Sequence, residues 1–360
     1  MEKIIVWGTG KIADKLFPAI NDEIVLVVDN DKKKWGTIWN GFTVKSPSVI
    51  VDFNGNFDRV VIASIYWKEI RRQIIEECGV DSSLIDNMYY RQKQYLLNHY
   101  KKNMECDKEK YILFLQQHPL DVFNDNFVDK YENLDMEVYF DSEQGLYYVY
   151  HNNKKMYFSA EFSKKEHVKR YYSFLLMEQD KDSPHRYQTD RFCVHSHDIV
   201  LDAGVAEGNF ALDIIDLVDK LYLIECDKEW IKALKCTFEP YKDKVEIIEG
   251  MLGNGLEESK TIDEIIGNDR IDFIKMDIEG AEYEALCGGR QTLERNDVKL
   301  AVCAYHHADD QKRTEKLLEK VGYETAVSDG YMIFITEQFF DKEVYSPQFV
   351  RGLIRGKRRR

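Results

Sequence analysis

No stretch of the 360-residue chain holds the roughly 18 consecutive apolar residues that a membrane-spanning helix needs. Cysteine is sparse and unpatterned. The seven residues Cys78, Cys106, Cys193, Cys226, Cys236, Cys287 and Cys303 are odd in number and form no C-x-x-C pair, which argues against a disulfide framework or structural zinc. A reduced, cytoplasmic setting is the expectation. The amino terminus enters a strand pattern at Ile4 and lacks the basic start and cleavage site of a signal peptide. An excess of positive charge is missing too: the formal charge of −14 argues against nucleic-acid binding by the body of the protein. Residues 351–360 run the other way, with six positive charges that leave −20 (−14 minus 6) on the remainder. Such a basic tail would either offer an electrostatic contact to anionic lipid or a polyanionic partner, or lie solvated.

The length suits two domains of ordinary size. Residues 1–100 open with a β-α-β pattern: strand Ile4–Trp7, turn Gly8-Thr9-Gly10, helix Ile12–Ile20 and a second strand ending at Asp29. A third glycine is absent, since Ala13 stands at its place, so a nicotinamide dinucleotide is not expected there. Asn40-Gly41 reads as a turn, Val60–Ala63 as a further parallel strand and Ile70–Cys78 as a helix, which together make an open α/β sheet. Residues 101–190 read as a connector. Tyr89–Gln117 is polar and helical, Leu146–Tyr150 and Met156–Phe158 form an aromatic hairpin around a polar turn, and Val168–Gln179 is an amphipathic helix.

A second α/β unit spans 191–340, with strands expected at 199–203, 221–225, 245–248, 273–276, 300–304 and 332–335. In such a sheet ligands sit outside the carboxyl ends of the strands, and this rule ranks the residues. The first strand feeds Asp202-Ala-Gly204-Val-Ala-Glu207-Gly208, a turn with two glycines for close ligand approach. Glu207 stands where it would repel a pyrophosphate, so an uncharged or cationic ligand fits better, as the methionine end of S-adenosylmethionine is. Glu225, 23 residues after Asp202 and followed by Cys226, is placed to accept ribose hydroxyls, and Gly250-Met251 to meet an adenine.

The fourth strand ends in Asp277-Ile-Glu279, two carboxylates expected to point the same way in an extended segment and to serve the cofactor, an acceptor hydroxyl or a cation. No third acid shows dependable spacing, so a required divalent metal is not favoured. His306, just past the fifth strand, is the expected general base, ahead of His307. His185, Arg186 and Tyr187, in a loop before the first strand, are expected to receive the acceptor together with Tyr305.

On Leu201–Gly208, Ile224-Glu225, Lys275–Glu282 with Gly289, and Tyr305-His306, the region 198–337 resembles the FkbM family of methyltransferases. The resemblance implies a class I Rossmann-like fold and S-adenosylmethionine-dependent O-methylation of a sugar, nucleotide-sugar or glycan precursor, hence polysaccharide biosynthesis. Val205-Ala-Glu207 departs from the family's usual alanine-asparagine pair. Residues 1–100 resemble the front domain of sugar-modifying acetyltransferases, on Gly8-Thr-Gly10, Val28-Asp-Asn30, Trp35-Gly36, Gly41 and Ala63-Ser64, implying a nucleotide-sugar site or a scaffold. A non-catalytic adenosyl-binding protein and a nicotinamide-dependent oxidoreductase using the front domain remain the alternatives. Self-association is left open.

Overall fold

The computed structural model describes residues 1–53, 56–132, 134–256, 258–335 and 346–359. It divides into two units, residues 1–128 with 333–349, and residues 129–332 with 350–360.

The first unit alternates short apolar runs with helices. Strands β1 (Lys3–Trp7), β2 (Glu23–Val28), β3 (Ile38–Trp39), β4 (Phe42–Lys45), β5 (Arg59–Ile62) and β6 (Ile85–Asn87) form one sheet in the order β3-β4-β2-β1-β5-β6. All its pairings are parallel except β3 with β4, which turn at Asn40-Gly41 with φ of 46° and 87°. Ile4, Ile5 and Val6 are wholly buried, as a central parallel strand covered on both faces requires. Helices α1 (Lys11–Leu16), α2 (Trp67–Cys78), α3 (Tyr90–Lys102) and α4 (Glu109–Gln117) complete the unit, so the helical stretch expected over 89–117 is broken in two. Asp29, the acid at the end of β2, is consumed by its own loop. It accepts from Thr9 N at 2.9 Å, Thr9 Oγ1 at 2.6 Å, Asp31 N at 2.9 Å and Lys34 Nζ at 2.8 Å.

The second unit begins with an antiparallel three-stranded sheet, β7 (Tyr139–Asp141), β8 (Leu146–His151) and β9 (Lys154–Tyr157), in which β8 and β9 are the expected hairpin. Helix α5 (Lys165–Glu178) follows. The main sheet holds β10 (Ile199–Ala203), β11 (Lys220–Glu225), β12 (Val245–Glu249), β13 (Phe273–Met276), β14 (Lys299–Cys303), β15 (Tyr323–Val327) and, after the short pair β16 (Met332–Ile333) and β17 (Phe349–Val350), β18 (Leu353–Arg358). Its order is β12-β11-β10-β13-β14-β18-β15. The first five strands are mutually parallel, and β18 runs antiparallel to both β14 and β15. This is a doubly wound sheet with its order reversing beside β10, modified by one inserted antiparallel strand.

Helices α6 (Asn209–Ile214), α7 (Lys228–Phe238), α8 (Ile262–Ile266), α9 (Glu282–Cys287), α10 (Arg290–Arg295) and α11 (Asp310–Lys320) cover its faces. Their starts are written locally: Asp227 caps α7 through Glu229 N, and Thr261 with Glu264 forms a capping box on α8. Two expectations are corrected. Residues 332–335 do not supply the sixth strand of this sheet, which is β15. Residues 351–359 are no solvated tail, because Leu353, Ile354 and Gly356 are buried in β18, which is inserted between β14 and β15.

Candidate active site

A cavity of about 660 Å³ opens at the carboxyl ends of β10, β11, β12 and β13, where the strand order reverses. It is lined by the β10 turn (Gly204 to Glu207), by Glu225 to Asp227, by Gly250 and Met251, by Asp277 and Glu279, and by Tyr171, Phe174 and Glu178 from α5.

The two glycines of the β10 turn serve the protein's own packing. Gly204 has φ of 71°, and a Cβ there would stand 1.7 Å from the Asp277 carbonyl oxygen, so the turn after β10 lies directly on the turn after β13. At Gly208, with φ of 85°, a Cβ would stand 2.8 Å from Phe238 Cε2 of α7, and the residue does not line the cavity. Gly204 thus lines the cavity and also makes room for the Asp277 backbone, whereas Gly208 makes room for α7 and lies off the lining.

Asp202 also lies behind the wall. It is 1% exposed and pairs with Lys275 Nζ at 3.0 Å, while the same ammonium donates to the Gly204 carbonyl at 2.6 Å. Burial works against the charge on Lys275, but Asp202 and Asp277 hold its pKa above the ordinary lysine value. The pair locks the turn into the β13 edge. Glu225 is 8% exposed and accepts from Ala206 N at 2.9 Å, Cys226 N at 2.8 Å and Asp227 N at 2.9 Å. Of the roughly four lone-pair directions on a carboxylate, about one is left for a ligand.

Glu207 is buried, with Tyr171 donating to Oε2 at 3.0 Å, and burial raises its carboxyl to about 7. Glu178 is raised well above the ordinary glutamate value, first by burial and then by Asp277 and Glu207. Six carboxylates line the cavity, those of Glu178, Glu207, Glu225, Asp227, Asp277 and Glu279, against one cation, Lys275.

The Asp277–Glu279 segment is not extended. The strand stops at Met276, Glu279 adopts φ of 57° and Gly280 φ of 100°, so the two carboxylates converge through a left-handed turn. They meet at His306, whose Nε2 is 3.9 Å from Asp277 Oδ1 and 3.6 Å from Glu279 Oε2. The other ring nitrogen, Nδ1, is 3.3 Å from Glu282 Oε1. Burial would lower the pKa of His306, but Glu282, Asp277 and Glu279 together raise it. His307 is 64% exposed and turned to Asp310 at 3.2 Å; of the two histidines only His306 reaches Asp277 and Glu279, and its ring, 5% exposed, does not itself line the cavity.

Among the described residues, the ligand atoms of His185, Asp277 and Cys303, and those of Asp277, Glu282 and His306, lie within 4.8 Å of one another. Glu282 thus supplies the third acid that the sequence spacing does not reveal. Both nitrogens of His306 face carboxylates, so the ring and these acids form the donor set that an ion would have to share.

The loop residues expected to touch the acceptor divide. Tyr187 lines the cavity and donates to Asp277 Oδ2 at 2.9 Å. His185 is sealed, with Nε2 2.9 Å from the Tyr305 hydroxyl, and burial lowers it to about 4, so it is a neutral brace for Tyr305. Arg186 does not line the cavity; its carbonyl accepts from Arg355. Glu178, Tyr171 and Trp230 are lining residues that sequence spacing shows only as part of apolar stripes or of a helix start. Lys275 carried a readable signal: a lysine inside the apolar run Phe273–Met276 needs a buried acid.

Residues 257–325 match the family model described as methyltransferase FkbM domain, which spans β13 to the start of β15 with the Asp277, Glu279 and His306 cluster. Residues 1–85 match the model described as C2185-like, N-terminal. No curated protein sequence matches the chain. Among solved structures, the methyltransferase FkbM from Methylobacillus flagellatus KT is similar at 16% identity and TM-score 0.47, over 99% of this chain and 89% of that one. Precorrin-6y C5,15-methyltransferase from Geobacter metallireducens GS-15 is similar at 12% identity and TM-score 0.33, over 47% and 85%. SMU.1697c from Streptococcus mutans, in complex with SAH, is similar at 14% identity and TM-score 0.30, over 46% and 90%. The second unit is a doubly wound, Rossmann-like α/β fold, and residues 257–325 within it match the methyltransferase FkbM domain.

Proposed function

We propose that the enzyme O-methylates a hydroxyl of a sugar, nucleotide-sugar or glycan precursor, with the cofactor in the cavity of the second unit. The observation that carries this reading is the acidic lining of the cavity, six carboxyl groups, of which burial raises those of Glu178 and Glu207, against Lys275 alone among the described residues. Such a lining disfavours a dinucleotide's pyrophosphate in the cofactor position and favours a cationic cofactor and an acceptor that presents hydroxyl-bearing sugar to the carboxylates. At about 660 Å³ the cavity lies within the range of roughly 300–1,000 Å³ usual for small-ligand sites.

The residues present fit S-adenosylmethionine. Glu225 offers its remaining lone pair to a ribose hydroxyl, Gly250 and Met251 flank the place for a base, and Glu207 and Asp277 set a negative field for the sulfonium. Cys226, beside Glu225 on the lining, would stand along the ribose. Asp202, Gly204 and Gly208 act by shaping the turn. When bound, the cofactor supplies an electrophilic methyl group and leaves as a neutral thioether.

Asp277 and Glu279 orient the acceptor hydroxyls, with Tyr187 fixing the Asp277 carboxylate. His306, neutral before the reaction, takes the acceptor's proton at Nε2 as the oxygen–methyl bond forms. The three carboxylates around the ring stabilise the resulting imidazolium, and holding the two reacting centres in place supplies much of the remaining acceleration. The raised pKa means that the base form is reached only above the ordinary histidine value near 6.5, so turnover climbs with pH through that higher range.

The test is mass spectrometry of the full chain with isotopically labelled S-adenosylmethionine and a pool of nucleotide-sugars. Label is expected on a sugar oxygen. His306→Ala is expected to lower turnover about 100-fold at unchanged cofactor affinity. Tight cofactor binding with no labelled sugar across the pool, or a wild-type rate in His306→Ala, would overturn the assignment.

A further inference from the structure

The second unit carries another groove, of about 640 Å³, between walls of different character. One wall is a face of the three-stranded sheet. Across β8 and β9, Tyr148 is paired with Tyr157 and Tyr150 with Lys155, which puts all four on one side. The other wall is α7, where Lys228, Lys232 and Lys235 are exposed at i, i+4 and i+7 along one face. The walls are held together by packing of Leu146 and Tyr157 on Ala233 and by Tyr157 N donating to Thr237 Oγ1 at 3.0 Å. A second cavity of about 520 Å³ shares Gln144, Lys235 and Cys236 and continues the groove past Lys232 and Lys228 to Glu249.

The charges here are not matched. Of the lysines on the two cavities, Lys154 pairs with Asp216 at 2.8 Å, and of the acids Glu239 pairs with Lys242 at 2.7 Å. No carboxylate stands within 4.0 Å of Lys155, Lys228, Lys232 or Lys235 among the described residues. Lys155 Nζ lies instead over the rings of Tyr148 and Tyr157, at 4.6 and 5.9 Å from their centroids. Four cations therefore face one unpaired acid, Glu249, on a chain whose formal charge is −14.

We propose that this groove binds an anionic oligosaccharide, one carrying carboxylate or phosphate groups. The lysines, spread over roughly 10 Å of helix at about 1.5 Å per residue, are mobile point charges that read charge spacing along a short chain. The tyrosines supply flat apolar edges and hydroxyls for sugar rings. Single-stranded nucleic acid fits less well, because it needs a series of free ring faces for successive bases. Here Tyr139 stacks on Tyr148 at 5.3 Å, Tyr150 abuts both edge-on at 5.6 and 5.7 Å, and Lys155 covers Tyr148. Tyr150, 50% exposed, offers the main free surface. The site does not depend on the methyl-transfer reading and is tested without turnover.

The test is calorimetric titration of the full chain with tetragalacturonate, with maltotetraose 6-phosphate, and with neutral maltotetraose as the uncharged counterpart. The expected result is that at least one charged oligosaccharide binds ten times or more tightly than maltotetraose and weakens with salt. The double variant Lys232→Glu/Lys235→Glu loses at least tenfold, Tyr150→Ala loses severalfold, and both keep their circular dichroism and their affinity for S-adenosylhomocysteine. No binding of either charged probe, equal binding of maltotetraose, unchanged affinity in the double variant, or tighter binding of an oligouridylate of equal charge would overturn the proposal.

Discussion

Glu207 offers the sharpest test of the cofactor site, because its ionisation links stability, pH and ligand charge. Its side chain is 3% exposed, and burial raises its carboxyl from 4.5 to about 7 although the Tyr171 hydroxyl favours the ionised form. The folded-state value is raised, so the stability this group contributes is fully present below about 4.5 and is lost as pH rises through about 7. The difference of roughly 2.5 pH units, at about 1.4 kcal/mol each, corresponds to about 3 kcal/mol. For a unit of this size that is about 6–12 °C of melting temperature. Glu207→Gln keeps the shape and cannot ionise, so the ligand-free variant should gain on wild type by up to that amount between pH 5 and pH 8. The Glu207 charge also raises Glu178, so removing it relieves that group too and adds to the gain, while carboxyls not coupled to Glu207 cancel in the comparison.

A cationic ligand adds a second signature. If the ionised form of Glu207 faces the sulfonium, the ionised fraction, about 0.1 at pH 6 and 0.9 at pH 8, sets how strongly S-adenosylmethionine is preferred over neutral S-adenosylhomocysteine. The affinity ratio of the two should climb about tenfold over that interval in wild type and stay flat in Glu207→Gln. Titration calorimetry at both pH values reads this directly. A flat ratio in wild type, or the same climb in the variant, would refute the placement of the sulfonium beside Glu207.

Gly204→Ala places a methyl group where the Asp277 carbonyl stands, at 1.7 Å and with φ of 71°, so urea unfolding should show a loss of about 4 kcal/mol or no folded second unit. Lys275→Met leaves Asp202 as a buried, unpaired charge and should cost about 3–5 kcal/mol, most of it recovered by adding Asp202→Leu; failure of that recovery would show that the pair does more than neutralise itself. EDTA should leave turnover unchanged, since the proposed reaction routes no step through an ion; loss of activity restored by Mn²⁺ would place an ion among Asp277, Glu282 and His306. The first unit should not bind NAD or NADP, because Asp29 is filled by Thr9, Asp31 and Lys34; micromolar affinity in titrations of the full chain, lost in Gly8→Val, would contradict this.

The elements legible in the sequence are those whose signal is local. Runs such as Leu300–Cys303 and Leu221–Ile224 are continuously apolar because parallel strands are covered on both faces, and Asp227 and Thr261 announce the helices they cap. Strand β18 was illegible because its charge density outweighs its pattern. Leu353, Ile354 and Gly356 are buried, whereas Arg355 and Arg358 find partners that no local rule supplies. Arg355 donates to the Arg186 carbonyl, and Arg358 to the carbonyls of Leu293 and Asn296 at the end of α10. Gly356 passes under Leu300, with 3.3 Å to the nearest atom a Cβ would meet, so a larger residue would crowd the centre of the sheet.

The same limit explains the site. Spacing identified Glu225, Asp277 and Glu279 because each follows a strand whose end the fold rule places at the crevice. It could not show that Glu178, arriving on a helix 47 residues before Glu225, adds a further carboxyl to the same cavity, or that Lys275 spends its charge on Asp202 behind the wall. The glycines illustrate the point in reverse. Their spacing marks a ligand-binding turn, yet the atoms they make room for are the Asp277 carbonyl and the Phe238 ring. Space for the ligand is left over after the protein has packed its own backbone, and its charge preference comes from side chains that no motif contains. Changing Glu178 or Glu207 should therefore alter which ligands enter more than changing either glycine, whose loss would first unseat the turn itself.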